Sequence, residues 1–333
     1  MNIVLERPAP SAAELEPRLG PLGAARAVEL LSHVGRTPLV ELIGLPGQPA
    51  DVRILAKLEA RNPGGSIKDR PVARMLLGAL ARGDVTPGAT GRRLLDSSSG
   101  NAAIAYAMLG SALGVPVTLV VPGNASRERL ERIRAHGAEL VLTDPLDGYD
   151  HAVHTAKRLF AEQPERYWYS NQYANEDNWR AHFDTTGAEI LAGFQERTGA
   201  PPDAFVSGVG TGGTLTGVGR RLRAAHAGVH IAALAPDVFP GIEGLKPLGS
   251  PGDFIPPILD QTLIDRHIPV RQEEAVPMCH ALAKLGFFAG PSSGANLWAA
   301  VELAKTGRFR TVATLLCDTG ERYGSTGLWA VSG

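Results

Sequence analysis

Apolar residues take every second place from Val52 to Glu59, at Val52, Ile54, Ala56 and Leu58, then fall at helical spacing at Val72, Met75, Leu76, Ala79 and Leu80. Side chains repeat every two residues along a strand and every ~3.6 along a helix, so this stretch predicts strand, loop, helix. The switch recurs at strand Arg93–Asp96 with helix Ala102–Leu113, at strand Val117–Val121 with helix Arg127–His136, and at strand Glu139–Thr143. A second series runs through strand Trp168–Ser170, helix Asn178–Phe194, strand Ala204–Ser207, helix Thr214–Ala225 and strand His230–Ala235. Such alternation predicts an α/β chain of two domains, each a mainly parallel sheet covered by helices on both faces. Residues 1 to 22 are rich in Pro, Ala and Glu without a period and read as an arm lying on the surface or on a partner subunit, with the fold starting near Ala24. Residues 236–267, rich in Pro and Gly, are equally aperiodic and long enough to serve as a flap.

Composition narrows the function. The 333 residues are 44% hydrophobic, ample for two cores. Lys and Arg total 33 against 34 Asp and Glu, and a net charge of −1 gathers neither nucleic acid nor anionic membrane. Cys279 and Cys317 are too few for a disulfide framework and point to a reducing compartment. Glu6, Glu14 and Glu16 stand where an export signal needs a basic flank, and no run approaches the ~20 apolar residues of a membrane span. The cytoplasm is the expected location.

The 39 glycines cluster, marking loops where backbone can approach a ligand closely. In open α/β sheets ligands gather where strands end and helices begin, because helix N-termini offer unpaired N–H groups and a positive dipole end. Four loops stand at such places. The first, Asn62 to Arg70, puts Lys68 at a helix start, with Ser66 or Asp69 available to cap that helix. A lysine near a positive helix end is pushed toward the neutral amine that condenses with an aldehyde, although a loop lysine alone is usually a solvated charge. The second, Ser97-Ser98-Ser99-Gly100-Asn101, is an anion cradle or an ordinary cap. The third, Gly208-Val209-Gly210-Thr211-Gly212-Gly213-Thr214, can wrap N–H groups around a phosphate. The fourth, Gly290 to Asn296, again places hydroxyls at a helix start.

Rival readings are weaker. Gly208, Gly210 and Gly213 with Asp237 fit a dinucleotide fingerprint, but that leaves Lys68 and the serine-rich loops without a task. Gly290 to Gly294 fit a hydrolase nucleophile elbow, yet no His follows His280. The pairs His151 with His154 and Cys279 with His280 lack further ligands and read as surface or packing residues, so no metal is expected.

Together the loops resemble the fold-type II pyridoxal-phosphate enzymes of the cysteine synthase and cystathionine β-synthase family, the tryptophan synthase β-like fold. The resemblance rests on Gly35-Arg36-Thr37-Pro38-Leu39-Val40, Ser66-Ile67-Lys68-Asp69-Arg70, Ser98-Ser99-Gly100-Asn101, Gln172-Tyr173-Ala174-Asn175, Thr185-Thr186-Gly187, Gly208 to Thr214, Ser292-Ser293-Gly294-Ala295 and Cys317 to Tyr323, in family order over residues 35–325. It implies pyridoxal 5'-phosphate joined to Lys68, which also takes the substrate's α-proton. It implies Asn101 on the ring's phenolic oxygen, the phosphate held by Gly208, Gly210, Thr211, Gly212, Gly213 and Thr214, and Ser292 at the pyridine nitrogen. The substrate carboxylate would meet Ser98, Ser99, Gly100, Asn101 and Gln172. The implied reaction is β-replacement on an activated L-serine through an aminoacrylate, with sulfide or a thiol adding to give L-cysteine or a related β-substituted alanine. Cystathionine-type or specialised-metabolite synthesis and serine or threonine dehydration are the alternatives. The resemblance further implies a homodimer, docking of a serine acetyltransferase tail, and a smaller mobile domain over 48–160 beside a larger one from 23–47 and 161–333.

Departures from the family bear on the substrate. Ala102 stands where Thr is usual, Ser98 opens its loop in place of Thr, and Arg36 replaces a common Asn. Losing the hydroxyl at Ala102 removes one hydrogen bond, ~1 kcal/mol, leaving room for a bulkier or differently activated donor. Asp237-Val238-Phe239 offers no arginine where phosphoserine-using relatives tend to place one, which favours O-acetylserine. The sequence ends at Gly333 without a haem-binding extension or regulatory module, so a plain catalytic core is expected.

Overall fold

The two periods resolve into two sheets in a computed structural model, which describes residues 10–98, 100–144, 148–248 and 254–330. In chain order the first elements are α1 (Ala12–Ser32), β1 (Leu39–Leu42), β2 (Arg53–Leu58), α2 (Asp69–Arg82), β3 (Arg93–Ser97), α3 (Asn101–Ala112), β4 (Val117–Pro122), α4 (Arg127–Ala135), β5 (Glu139–Thr143) and α5 (Gly148–Glu162). There follow β6 (Tyr167–Tyr169), α6 (Glu176–Ala181), α7 (Gly187–Thr198), β7 (Ala204–Ser207), α8 (Gly213–Ala225), β8 (His230–Pro236), β9 (Arg266–Val270), α9 (Gln272–Lys284), α10 (Pro291–Lys305) and β10 (Thr311–Leu316). Of the described residues, one unit comprises Gly35–Arg61 and those from Asn178 onward; the other comprises those from residue 10 to Val34 with Asn62–Asp177.

The second unit carries a four-stranded sheet in the order β5-β4-β3-β6, parallel throughout. All of β4 is buried, as a strand covered on both faces requires. Val72, Met75, Leu76, Ala79 and Leu80 of α2 point inward as their spacing predicts, and the helix stops at Gly83, whose N–H bonds back to Ala79 and Leu80 in the left-handed conformation. Leu15, Ala24, Ala27 and Leu31 of α1 join the same core. The expected arm is therefore, from residue 12, a helix of the fold. A capping box between Ser11 and Glu14 starts it, whereas Pro17, Pro21 and a left-handed Gly20 break its period and hide it.

The first unit holds a six-stranded sheet in the order β1-β2-β10-β7-β8-β9, in which only β1 runs antiparallel to its neighbour. Strand β2, read from sequence as opening the first series, pairs here with β10, and Trp168 of β6, read as opening the second, pairs with Leu94 in the other sheet. The chain consequently divides at Arg61 and Asp177 and not at 47 and 160. The helix expected over Asn178–Phe194 is interrupted by a π-helical turn, His182–Thr186, between α6 and α7. Among the described residues of 236–267, regular structure is limited to the end of β8, a 3₁₀ turn at Gln261–Leu263 and the start of β9.

Candidate active site

Lys68 is the N-cap residue of α2 and is half-buried. Its backbone N–H donates to Ser66 Oγ at 3.2 Å, while Asp69, fully buried in the first turn, accepts from the Gly64 N–H. Neither Ser66 nor Asp69 caps α2 through its side chain, contrary to the sequence expectation, because each is committed to the loop before it. In the same unit Ser98 is buried, Gly100 is the N-cap of α3 without a side-chain cap, and Asn101 opens that helix. Ser99 lies outside the described residues. Gly100 N–H donates to Ser98 Oγ at 3.3 Å, and Gln172 is brought to this turn, its Nε2 donating to Ser97 O at 3.0 Å.

Beneath the turn lies a polar cluster that sequence reading missed. Asp96, 1% exposed, accepts from Ser97 N–H at 2.8 Å, from Tyr106 hydroxyl at 2.8 Å and from Gln172 N–H at 3.3 Å. Tyr106 and Ser170 share a further 2.8 Å bond. Burial pushes the Asp96 carboxyl up to about 6, with these bonds acting in the opposite sense. The signal available was a lone Asp in an apolar strand, four residues before the serines' glycine.

In the other unit α8 begins at Gly213 behind a left-handed Gly212, which has no side chain to cap this 13-residue helix, and Gly213 N–H makes a long 3.4 Å bond to Thr211 Oγ1. The loop ahead of it is crowded from behind. A Cβ on Gly210 would lie 2.7 Å from Gly244 O, and one on Gly213 would collide with Asn178 Oδ1. The aperiodic connection supplies part of that backing, with Lys246 N–H donating to Val209 O at 2.8 Å. Side chains from α6 and the π turn hold the loop's hydroxyls: Asn178 Nδ2 donates to Thr211 Oγ1 at 3.1 Å, and His182 Nε2 lies 3.3 Å from Thr214 Oγ1. Gly208 N–H donates to Asn296 Oδ1 at 2.8 Å, which ties the loop to α10. Ser292 sits buried in the first turn of α10, again a helix without a side-chain cap. Asn178 and His182 carried no sequence signal, being single polar residues of an expected helix, and Asn296 stood in the fourth loop without a role of its own.

The family model described as pyridoxal-phosphate dependent enzyme matches residues 30–318. The cysteine synthase of Aquifex aeolicus is 46% identical over 309 residues, spanning 90% of this chain and 92% of its own. The chain belongs to the pyridoxal-phosphate-dependent cysteine synthase family. This member is also similar to solved structures of an O-ureido-L-serine synthase, with a TM-score of 0.82, 35% identity and coverage of 91% of this chain and 96% of that one. The cysteine synthase of Entamoeba histolytica follows at 0.81 and 34%, covering 91% of each chain.

The residues fit the family's cofactor. The loop at Gly208–Thr214 contains no lysine or arginine, yet it combines bare glycines, two held hydroxyls and the start of a helix whose N-cap is a glycine, a donor set suited to a phosphate. At Ser292 the positive end of α10 disfavours a cation, which suits a neutral ring nitrogen. Other features stand apart. A cavity of about 330 Å³ opens over Arg36, Thr37, Lys57, Glu189 and Arg197, and no expected cofactor or substrate residue lines it. Arg36 there has φ 48°, a left-handed backbone that Asn adopts more readily, and its N–H donates to Glu189 at 2.9 Å. His280 bonds to Leu328 O and stacks on Trp329, and burial pushes the Cys279 thiol up to about 12, so this pair is packing.

Proposed function

We propose that the protein performs β-replacement on an activated L-serine, O-acetylserine being favoured, and that sulfide or another thiol supplies the new substituent to give L-cysteine or a related β-substituted alanine. One combination of residue types supports the reading: a lysine at the N-cap of α2, a glycine loop free of lysine at the start of α8, and a neutral serine in the first turn of α10 where the resemblance puts the ring nitrogen. When bound, pyridoxal phosphate supplies the electron sink that makes the substrate's α-proton removable and its β-substituent a leaving group. Lys68 provides the amine that receives that proton at Nζ. Ser98, Ser99, Gly100, Asn101 and Gln172 bind the substrate carboxylate, whose charge the N-terminus of α3 favours. Thr211, Thr214 and the glycines between Gly208 and Gly213 hold the phosphate, and Asn101 positions the ring. Ser292, unlike a carboxylate, does not favour a protonated ring, so the site is biased to β-elimination over transamination.

Ala102, buried at the first turn of α3, leaves out the hydroxyl usual in the family. Together with the similarity to an O-ureido-L-serine synthase, this supports a second reading in which the product is a β-substituted alanine other than cysteine. The protein works as a cytoplasmic homodimer in this proposal, with the tail of a serine acetyltransferase as a further partner. Screening serine derivatives spectrally against the yellow holoenzyme, with products then identified after adding sulfide, tests it. O-acetylserine should change the spectrum and yield cysteine; a response to O-phosphoserine alone overturns the donor assignment. Borohydride reduction should fix the cofactor on Lys68, and Lys68→Ala should lose turnover by at least ~10³-fold while keeping the fold.

A further inference from the structure

We propose that Asp96 is a positioning residue for the reaction: its buried carboxylate joins the end of β3 to the segment after β6 and so fixes the geometry with which the serine-rich turn and Gln172 grip the substrate carboxylate. The inference rests on the proposed roles of Ser98, Gly100, Asn101 and Gln172. Asp96 Oδ1 takes the Ser97 N–H at 2.8 Å, and Oδ2 takes both the Tyr106 hydroxyl at 2.8 Å and the Gln172 N–H at 3.3 Å. Gln172 closes the ring by donating from Nε2 to Ser97 O at 3.0 Å. The two segments so joined are the two that carry the proposed carboxylate ligands.

The surroundings argue against a role in packing alone. Ala102, Ala103, Ile104, Ala105, Ala107 and Leu109 make the rest of this part of α3 apolar and buried. An Asp–Tyr pair there must be stripped of water on both partners, where an apolar pair would pack without that loss. Such groups specify a geometry more than they stabilise a core. The bonds also converge: both oxygens are used, Oδ1 on the N–H of Ser97, which adjoins Ser98, and Oδ2 on that of Gln172 itself, and Tyr106 secures the carboxylate from α3 while touching Ser170 at 2.8 Å.

Asp96→Asn and Tyr106→Phe, compared in the holoenzyme with wild type and Gln172→Ala, test the assignment. Steady-state kinetics, spectral titration with O-acetylserine and amide hydrogen exchange over residues 97–101 and 172 are measured for each. In Asp96→Asn we expect exchange there to quicken, KM for the donor to rise about tenfold and kcat to change less than about threefold, with cofactor content unchanged. Tyr106→Phe should move the same quantities in the same direction by less, and it decides the matter if Asp96→Asn does not fold. Unchanged KM and exchange in folded variants, with Gln172→Ala impaired, overturns the positioning role alone. Wild type and Gln172→Ala behaving alike toward every serine derivative overturns the functional reading instead.

Discussion

Gly213 illustrates how a residue is required by what stands behind it. Its missing Cβ is the space taken by Asn178 Oδ1, and Asn178 in turn holds the Thr211 hydroxyl. Gly213→Ala therefore forces apart the loop and α6 at a cost of about 1–3 kcal/mol. Cofactor affinity, read by fluorescence titration of the cofactor-free protein, should fall roughly 10- to 100-fold; an unchanged dissociation constant contradicts the account. The glycine cluster was legible in the sequence because a structural turn seldom needs so many, and Lys68 because it stands at a predicted helix start. The residues that hold the cluster were not legible. Asn178 and His182 reach it from α6 and a π-helical turn, and a one-residue insertion in helical register leaves no trace in apolar spacing.

At the scale of elements, period placed the strands and helices between residues 52 and 143 and between 168 and 235 to within about four residues, since each buries one face or both, and left β1, α5, β9, α9, α10 and β10 without a range. It failed where backbone chemistry broke the repeat. Helix α1 carries Pro17, Pro21 and a left-handed Gly20, so its buried Leu15, Ala24, Ala27 and Leu31 do not read as one stripe. Because Leu15, inside the expected arm, is only 5% exposed within the core of its unit, Leu15→Ala should lower unfolding free energy by about 2–5 kcal/mol, checked by urea denaturation. A detached arm would give a change within ~0.5 kcal/mol. Sheet membership was also beyond reach, because alternation tells which face of a strand is covered and not which strand lies beside it. Strands β2 and β6 each follow the local rhythm of one series while pairing in the sheet of the other unit.

For the molecule as a whole, a buried carboxyl raised from an ordinary 3.8 to about 6 couples stability to acidity. The protonated form is the one the fold prefers, so its contribution is complete below about pH 3.8 and is lost as the pH rises through about 6. Between pH 5 and 7 wild type should lose about 1 kcal/mol relative to Asp96→Asn, which has no such proton to release. Denaturant titrations of the pair at the two pH values check this; parallel stabilities at both contradict it.

The larger sheet has its own consequence for biosynthesis. Strand β10, at Thr311–Leu316, lies between β2 and β7, which precede it by more than two hundred and more than one hundred residues respectively. Until β10 has left the ribosome, β2 and β7 each keep an open edge in the middle of what will be the sheet. A nascent chain stalled before Thr311 is thus a template for association with its own kind, and emergence of β10, more than any local step, commits this half of the protein to its native pairing.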